Sequence, residues 1–178
     1  NKAKPTNFKQ GMIIDLKPTR NIKEWKLAPL DSIDAFTWDG KGKITTKLLT
    51  KKNIKATNSF GYEAKGYLKI ENPGLYNIKV TQQIEESDAR FNSLNIMGWL
   101  EDQLFINQQA NSTIHTDGKL VGVGALKLEI GIYQLRLWIS STNSNYNSNQ
   151  IGEVSIEIKE PNEIKYTNIQ NSVYYKTK

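Results

Sequence analysis

A strand-turn-strand pattern occurs twice in this sequence and restricts the folds open to the chain more than any other feature. The first copy runs from Gly66 to Val80 and the second from Gly124 to Leu137. In both copies apolar residues alternate with polar ones on each side of a turn, which is the period-two pattern of a sheet with one buried face. The first turn is Asn72-Pro-Gly, in which proline fixes one corner and glycine takes a positive φ. The sequence therefore predicts two hairpins that act as paired supports of one sandwich.

The rest of the chain favours strands too, because no stretch of helical period is long enough to predict a helix. With 178 residues the chain is long enough to bury a core. We expect an all-β fold, an antiparallel two-sheet β-sandwich with jelly-roll-like topology. We expect an N-terminal arm with one or two strands at 1–30, the sandwich domain at 31–160, and an edge strand or linker at 161–178.

The composition excludes several classes of function. The net charge of +6 comes mainly from lysine, since the only arginines are Arg20, Arg90 and Arg136. Sites for phosphates and bases depend on arginine, so we expect no nucleic-acid partner. Cysteine is absent, which excludes thiol catalysis, disulfides and cysteine-ligated zinc. Apolar runs are short and interrupted by charge, so we expect no transmembrane segment.

Catalytic patterns are weak, and we expect that the protein is not an enzyme. The single histidine, His115, lies in a polar stretch, and a histidine-based triad would depend on it alone. Five acidic residues could in principle supply a carboxylate pair for glycoside cleavage: Glu85, Glu86, Asp88, Glu101 and Asp102. Clustered acids in loops are usually solvated, and we favour that interpretation.

Several segments, in the right order, resemble one family of domains. They are Phe60 to Val80, Leu104-Phe-Ile-Asn107, Leu126 to Leu137 and the strand-like Gly152 to Ile158. Together they are similar to the domain named after the N-terminal portion of bacterial protective antigen. The resemblance implies a β-sandwich of the kind found in toxins, yeast flocculins, adhesins and glycosidases, which is usually a carbohydrate-binding or adhesive module.

The resemblance also implies a calcium site, although this sequence departs from the family pattern there. Lectin members of the family hold calcium with two consecutive aspartates and an asparagine from a later loop. The matching positions here are Glu101, Asp102 and Asn143, and Gln103 stands where the family commonly has glycine. Calcium prefers six to eight oxygen ligands. Calcium bound by these three residues is therefore an expectation from resemblance alone.

A sugar site needs an aromatic ring for the apolar face of a pyranose and polar groups for its hydroxyls. The sequence supplies such residues at Trp99, Asp102, Asn107, Asn143, Asn145 and Tyr146. The alternative remains open that Trp99 is a core residue and that the asparagines only fill a loop. On this basis we expect an extracytoplasmic recognition or adhesion module that binds carbohydrate on a cell or matrix surface.

The expected partner is a glycan or a cell-surface protein, and the expected location is secreted, cell-surface or periplasmic. The competing hypothesis is a non-catalytic structural component of a pilus, secretion machine or other surface assembly. Such a component would act through protein–protein contacts, for example by adding an edge strand to a partner's sheet.

Overall fold

The computed structural model describes residues 7–18, 34–38, 59–84, 92–110, 117–143 and 153–176. These residues form strands and one short 3-10 turn at Ile169–Asn171. The strands are β1 Phe8–Gln10, β2 Met12–Pro18, β3 Asp34–Trp38, β4 Ser59–Ile70, β5 Gly74–Gln83, β6 Asn92–Leu100, β7 Gln103–Ala110, β8 Lys119–Leu128, β9 Gly131–Asn143, β10 Glu153–Lys159, β11 Thr167–Asn168 and β12 Val173–Lys176. Within the described ranges, no helix is long and apolar enough to cross a bilayer.

The strands form two antiparallel sheets that pack as a sandwich, which confirms the predicted fold class. The large sheet has eight strands, with the order β1-β12-β4-β9-β6-β7 and with β2 and β3 joined beside β4. The small sheet has four strands in the order β11-β10-β5-β8. Every pairing between these strands is antiparallel.

The two repeated segments are not hairpins, and that part of the prediction was wrong. In each copy the strand before the turn and the strand after it lie in different sheets, so each copy is an arch that crosses the sandwich. The copies instead pair with each other, β4 with β9 in the large sheet and β5 with β8 in the small one. The pairing is nearly symmetric, because Leu68 faces Tyr133 in one sheet while Leu126 faces Tyr76 in the other. They do act as paired supports of one sandwich.

A tyrosine closes each arch in the same way. The hydroxyl of Tyr76 donates a hydrogen bond to the carbonyl of Asn72 at 2.6 Å, and that of Tyr133 donates to the carbonyl of Glu129 at 2.9 Å. Both bonds span four residues across the turn, and both satisfy a carbonyl that the change of sheet leaves outside the ladders. The glycine two residues before each tyrosine has a positive φ, 146° at Gly74 and 159° at Gly131.

The core lies between the sheets and is built by the alternation read from the sequence. Strand β5 buries every second side chain, and its buried Tyr76, Ile78 and Val80 belong to one cluster with residues of β4, β6 and β9. Two glycines of β8 face inward where β7 approaches. A Cβ atom on Gly124 would collide with Phe105, and one on Gly122 would lie 2.7 Å from Ile106 Cγ2. These glycines let the sandwich close on that side.

The outer face of the large sheet is buried at one end and open at the other. Trp138 is 1% exposed and lies outside the core cluster, because its neighbours Leu137 and Ile139 point inward. It pairs with Met97 on β6, which is also buried. Toward the opposite end of the same face the side chains of Lys65 and Tyr67 are exposed or half-buried. The open end is where a groove forms.

Strands from both ends of the chain belong to the large sheet. Within the predicted tail, Val173–Lys176 lie between β1 and β4 and pair on both sides, whereas β11 lies at the edge of the small sheet. Strand β2 pairs with both β3 and β4. The division of the chain into arm, sandwich and tail stays a prediction.

Candidate functional site

A groove of about 450 Å³ opens on the outer face of the large sheet. We call it the outer-face groove. Its walls come from four strands, β2, β4, β9 and β12, and from the turn between β6 and β7. The lining residues are Ile13, Lys65, Gly66, Tyr67, Glu101, Asp102, Gln134, Leu135, Arg136, Tyr175 and Lys176. The volume lies within the range of small-molecule sites, and the lining mixes aromatic rings with charged groups.

The turn that carries Glu101 and Asp102 has a strained and firmly anchored backbone. Glu101 adopts a φ of 52°, which is uncommon for a residue with a side chain. The backbone N–H of Glu101 donates to the backbone carbonyl of Gln134 at 2.7 Å. The Glu101 Oε1 accepts from the backbone N–H of Gln134 at 2.8 Å. These two bonds fix the turn against β9. They leave Asp102 exposed at the groove, where its carboxylate can accept hydrogen bonds.

Arg136 connects the groove to a buried acid beneath it. Its Nη1 lies 3.4 Å from Oε2 of Glu63, whose side chain is 6% exposed, while Lys65 Nζ lies 3.5 Å from the other oxygen. The guanidinium carbon of Arg136 is 4.2 Å from the ring centroid of Trp99, a cation–π geometry. Glu63 and Trp99 therefore hold the guanidinium from two sides.

The groove offers both donors and acceptors at its polar end. Lys65, Arg136 and Lys176 are donors, while Glu101 and Asp102 are acceptors, and Glu63 lies close beneath. Charges of both signs balance, so the site has no strong preference for an anion on electrostatic grounds. Hydroxyl groups, which donate and accept at once, match such a lining.

The structure brings some of the sequence-predicted sugar residues together and separates others. Asp102 lines the groove, and Trp99 lies on the same face beneath Arg136, half-buried and outside the core cluster. Asn107 is exposed and pairs with Met97 on that face, but it does not line the groove. Asn145 and Tyr146, and also His115, lie outside the described residues.

The geometry does not support a calcium site made from Glu101, Asp102 and Asn143. Leu100, next to Glu101, pairs with Leu135, whereas Asn143 pairs with Asn92 at the other end of the same ladder. The eight residue-to-residue steps along β6 from Asn92 to Leu100 span about 26 Å. Within the described ranges, no group of three or more acidic or histidine side chains is placed to hold a metal ion.

Sequence reasoning missed most of the groove lining. Tyr67 and Arg136 lie at outward positions of the two repeated segments, as alternation alone indicates, and Lys65 directly precedes the first segment. Their convergence depends on the β4–β9 register, in which Lys65 faces Arg136. Tyr175 and Lys176 come from a tyrosine-rich tail whose position in the sheet no local pattern indicates.

Known structures share this fold at low sequence identity. An anti-sigma factor domain-containing protein from Clostridium clariflavum superimposes with a TM-score of 0.62 at 14% identity over 96% of this chain and 48% of that chain. The PA14 domain of the antifreeze protein MpAFP gives 0.61 at 13% identity, covering 100% and 97%. The Epithelial Adhesin 6 A domain of Candida glabrata, solved with Galβ1-3GlcNAc, gives 0.56 at 10% identity, covering 98% and 90%.

At these identities the likeness shows the fold alone. The chain spans about half the length of the anti-sigma factor domain-containing proteins that it matches. Neither a protein-family model nor a curated protein sequence matches the chain. The fold is thus one that solved carbohydrate-binding adhesin domains also have.

Proposed function

We propose that the protein is a non-enzymatic recognition or adhesion module that binds carbohydrate through the outer-face groove. We also propose that it is a divergent member of the protective-antigen N-terminal domain family. The proposed setting is extracytoplasmic, secreted, cell-surface or periplasmic, as for an adhesive module. Each of these statements goes beyond the fold.

The observation that carries the proposal is the meeting of three kinds of group in one groove. The ring of Tyr67 offers a surface for the apolar face of a sugar. Asp102 offers an exposed acceptor, and Arg136, oriented by Trp99 and Glu63, offers fixed donors. A pyranose presents the matching features, an apolar face and a rim of hydroxyls that both donate and accept.

The fold comparisons support this choice among ligand classes. Two adhesin A domains with this fold were solved with bound disaccharides, Galβ1-3GlcNAc and Galβ1-4GlcNAc. A shared fold does not carry function by itself, and the groove residues are the evidence in this chain. The non-catalytic proposal rests on Glu101, whose carboxylate is engaged by the Gln134 amide and so is poorly placed to act as an acid beside Asp102.

The test is binding of the purified 178-residue chain to an immobilised panel of mono- and oligosaccharides, followed by calorimetry with the best ligand. Asp102→Asn should weaken binding about tenfold or more, because a charged acceptor is replaced by a neutral amide. Glu129→Gln is the matched control, since Glu129 is an exposed acid in the arch turn between β8 and β9 and does not line the groove. No binding to any glycan, or equal effects of the two variants, would contradict the proposal.

A second candidate function is a structural component of a surface assembly, and one feature favours it. The outer face of the small sheet exposes apolar side chains, with Leu75 54%, Val123 46% and Val121 38% exposed. Exposed apolar patches of this kind often mark protein contacts. If Val123→Lys abolished co-assembly with a protein partner while Asp102→Asn had no effect on any binding, this function would replace the first.

A further inference from the structure

An aromatic depression lies beside the groove on the same face of the large sheet. Its volume is about 310 Å³, and it is lined by Phe8, Tyr67, Lys69, Ile132 and Tyr174. We call it the aromatic shelf. The rings of Phe8 and Tyr67 meet edge to face with centroids 5.5 Å apart, and Tyr174 pairs with Tyr67 across β12 and β4. Phe8 is 40% exposed and Ile132 59%, so the surface is open to solvent.

The shelf and the groove are continuous, because Tyr67 lines both. The two parts differ in chemistry. The groove is rich in charged donors and acceptors, whereas the shelf has one charged lining residue, Lys69, whose Nζ lies 3.4 Å from Glu71 Oε1. Together they form a surface that hydrogen-bonds at one end and stacks at the other.

We propose that the natural ligand is an oligosaccharide, with one sugar ring held in the outer-face groove and the next ring or rings stacked on the aromatic shelf. This inference rests on the proposed function, because the shelf is assigned as an extension of the groove. An oligosaccharide fits because the shelf continues the groove and because the shelf is lined mainly by aromatic rings. Linked pyranoses repeat an apolar face from ring to ring, and the aromatic rings of the shelf present the surface that stacks on it.

The shelf is built by the two ends of the chain. Phe8 comes from β1 and Tyr174 from β12, and these strands pair directly, with Gln10 facing Tyr174. Both strands lie outside residues 60–158, the part that carries the family resemblance. The extended site is therefore a property of this chain's own terminal strands.

The test compares mono-, di- and tetrasaccharides within each of three series by calorimetry on the full chain. The probes are the glucose series with cellobiose and cellotetraose, the β1,4-linked N-acetylglucosamine series, and galactose with Galβ1-3GlcNAc and a tetrasaccharide that contains it. The tetrasaccharide of the preferred series should bind about tenfold more tightly than its monosaccharide. Phe8→Ala and Tyr174→Ala should remove most of that gain and leave monosaccharide affinity unchanged.

Leu75→Ala is the matched control, because Leu75 is an exposed apolar residue on the small sheet. Circular dichroism melting checks that each variant is folded, and Tyr174→Phe, which keeps the ring, should retain the gain if Tyr174→Ala unfolds the chain. Equal affinity for mono- and tetrasaccharide, or a gain that survives both alanine variants, overturns this inference while the groove proposal stands. Failure of the unaltered chain to bind any probe overturns both.

Discussion

The guanidinium of Arg136 lies against the ring of Trp99, with the guanidinium carbon 4.2 Å from the ring centroid, and the same group contacts the buried Glu63 at 3.4 Å. One side chain thus links a buried carboxylate to the open groove. Because Trp99 and Glu63 restrict it from two sides, Arg136 is already oriented before a ligand arrives. Such pre-orientation lowers the entropic cost of binding.

Arg136→Ala should lower the free energy of unfolding by about 2 kcal/mol, since Glu63 loses one of its cations. The figure is below that of a fully buried pair because the Arg136 side chain is 40% exposed. Glu63→Gln should lower the free energy of unfolding by less in the Arg136→Ala variant than in the unaltered chain. Urea denaturation of the four proteins measures this coupling, and strict additivity would show that the contact contributes nothing.

Tyr76→Phe should cost about 1 kcal/mol at neutral pH through loss of the hydrogen bond to Asn72. Tyr133→Phe should cost a similar amount, because its hydroxyl makes the equivalent bond to Glu129. Urea denaturation of both variants tests the equivalence of the two arches. A negligible effect of both changes would mean that the two hydroxyl hydrogen bonds do not stabilise the arches.

Tyr76 should also make stability fall at alkaline pH. Burial, and next the negative charge of Glu160, raise the pKa of the Tyr76 hydroxyl above its ordinary value. A raised pKa in the folded state gives a contribution that is complete below the ordinary tyrosine pKa of about 10 and is lost as the pH rises through the folded pKa. The fall should therefore be shallower for Tyr76→Phe. Parallel pH profiles for the two proteins would contradict this.

Gly124→Ala should destabilise the fold by about 2 kcal/mol, because the new methyl group would collide with Phe105 where β7 meets β8. Ala125→Val is the control, since Ala125 is exposed on the outer side of the same strand. Thermal melts of both variants measure the difference in stability. A neutral Gly124→Ala would mean that β7 can move away from β8 at little cost.

Ser140→Ala should leave stability unchanged or raise it by up to about 1 kcal/mol. The Ser140 hydroxyl is fully buried and has no hydrogen-bond partner in the described part of the chain. The backbone carbonyl of Ser140 accepts from Gln82 Nε2 at 3.2 Å, and this bond would remain in the alanine variant. Ser155→Ala, at a half-buried position on β10, is the comparison. A loss of stability at Ser140 alone would indicate an ordered water bound there.

Alternation in the sequence was sufficient to predict the fold class but not the topology of the repeated segments. Period two reports which face of a strand is buried, and it is the same for a hairpin and for an arch. Whether Leu68 and Tyr76 share a sheet depends on which strand each pairs with, and those partners lie at least fifty residues away in the other copy. The turn sequence contains no information about that choice.

The candidate site was predictable only in part, for the same reason. Trp99 and Asp102 are close in sequence to one hairpin turn, so local patterns and the family resemblance point to them. Lys65, Arg136 and Tyr175 reach the groove from three separate strands. Only long-range register brings them together, and the same register separates Asn143 from Glu101.

The most direct test of the account is nuclear magnetic resonance mapping of the bound glycan on the ¹⁵N-labelled chain. With the best ligand from the panel, we predict that the largest amide shifts occur at residues 65–67, 101–102 and 134–136, and at Tyr175 and Lys176, which line the outer-face groove. The contradictory result would be shifts concentrated at Asn143, Asn145 and Tyr146. That result would move the site away from the groove to the asparagine-rich segment.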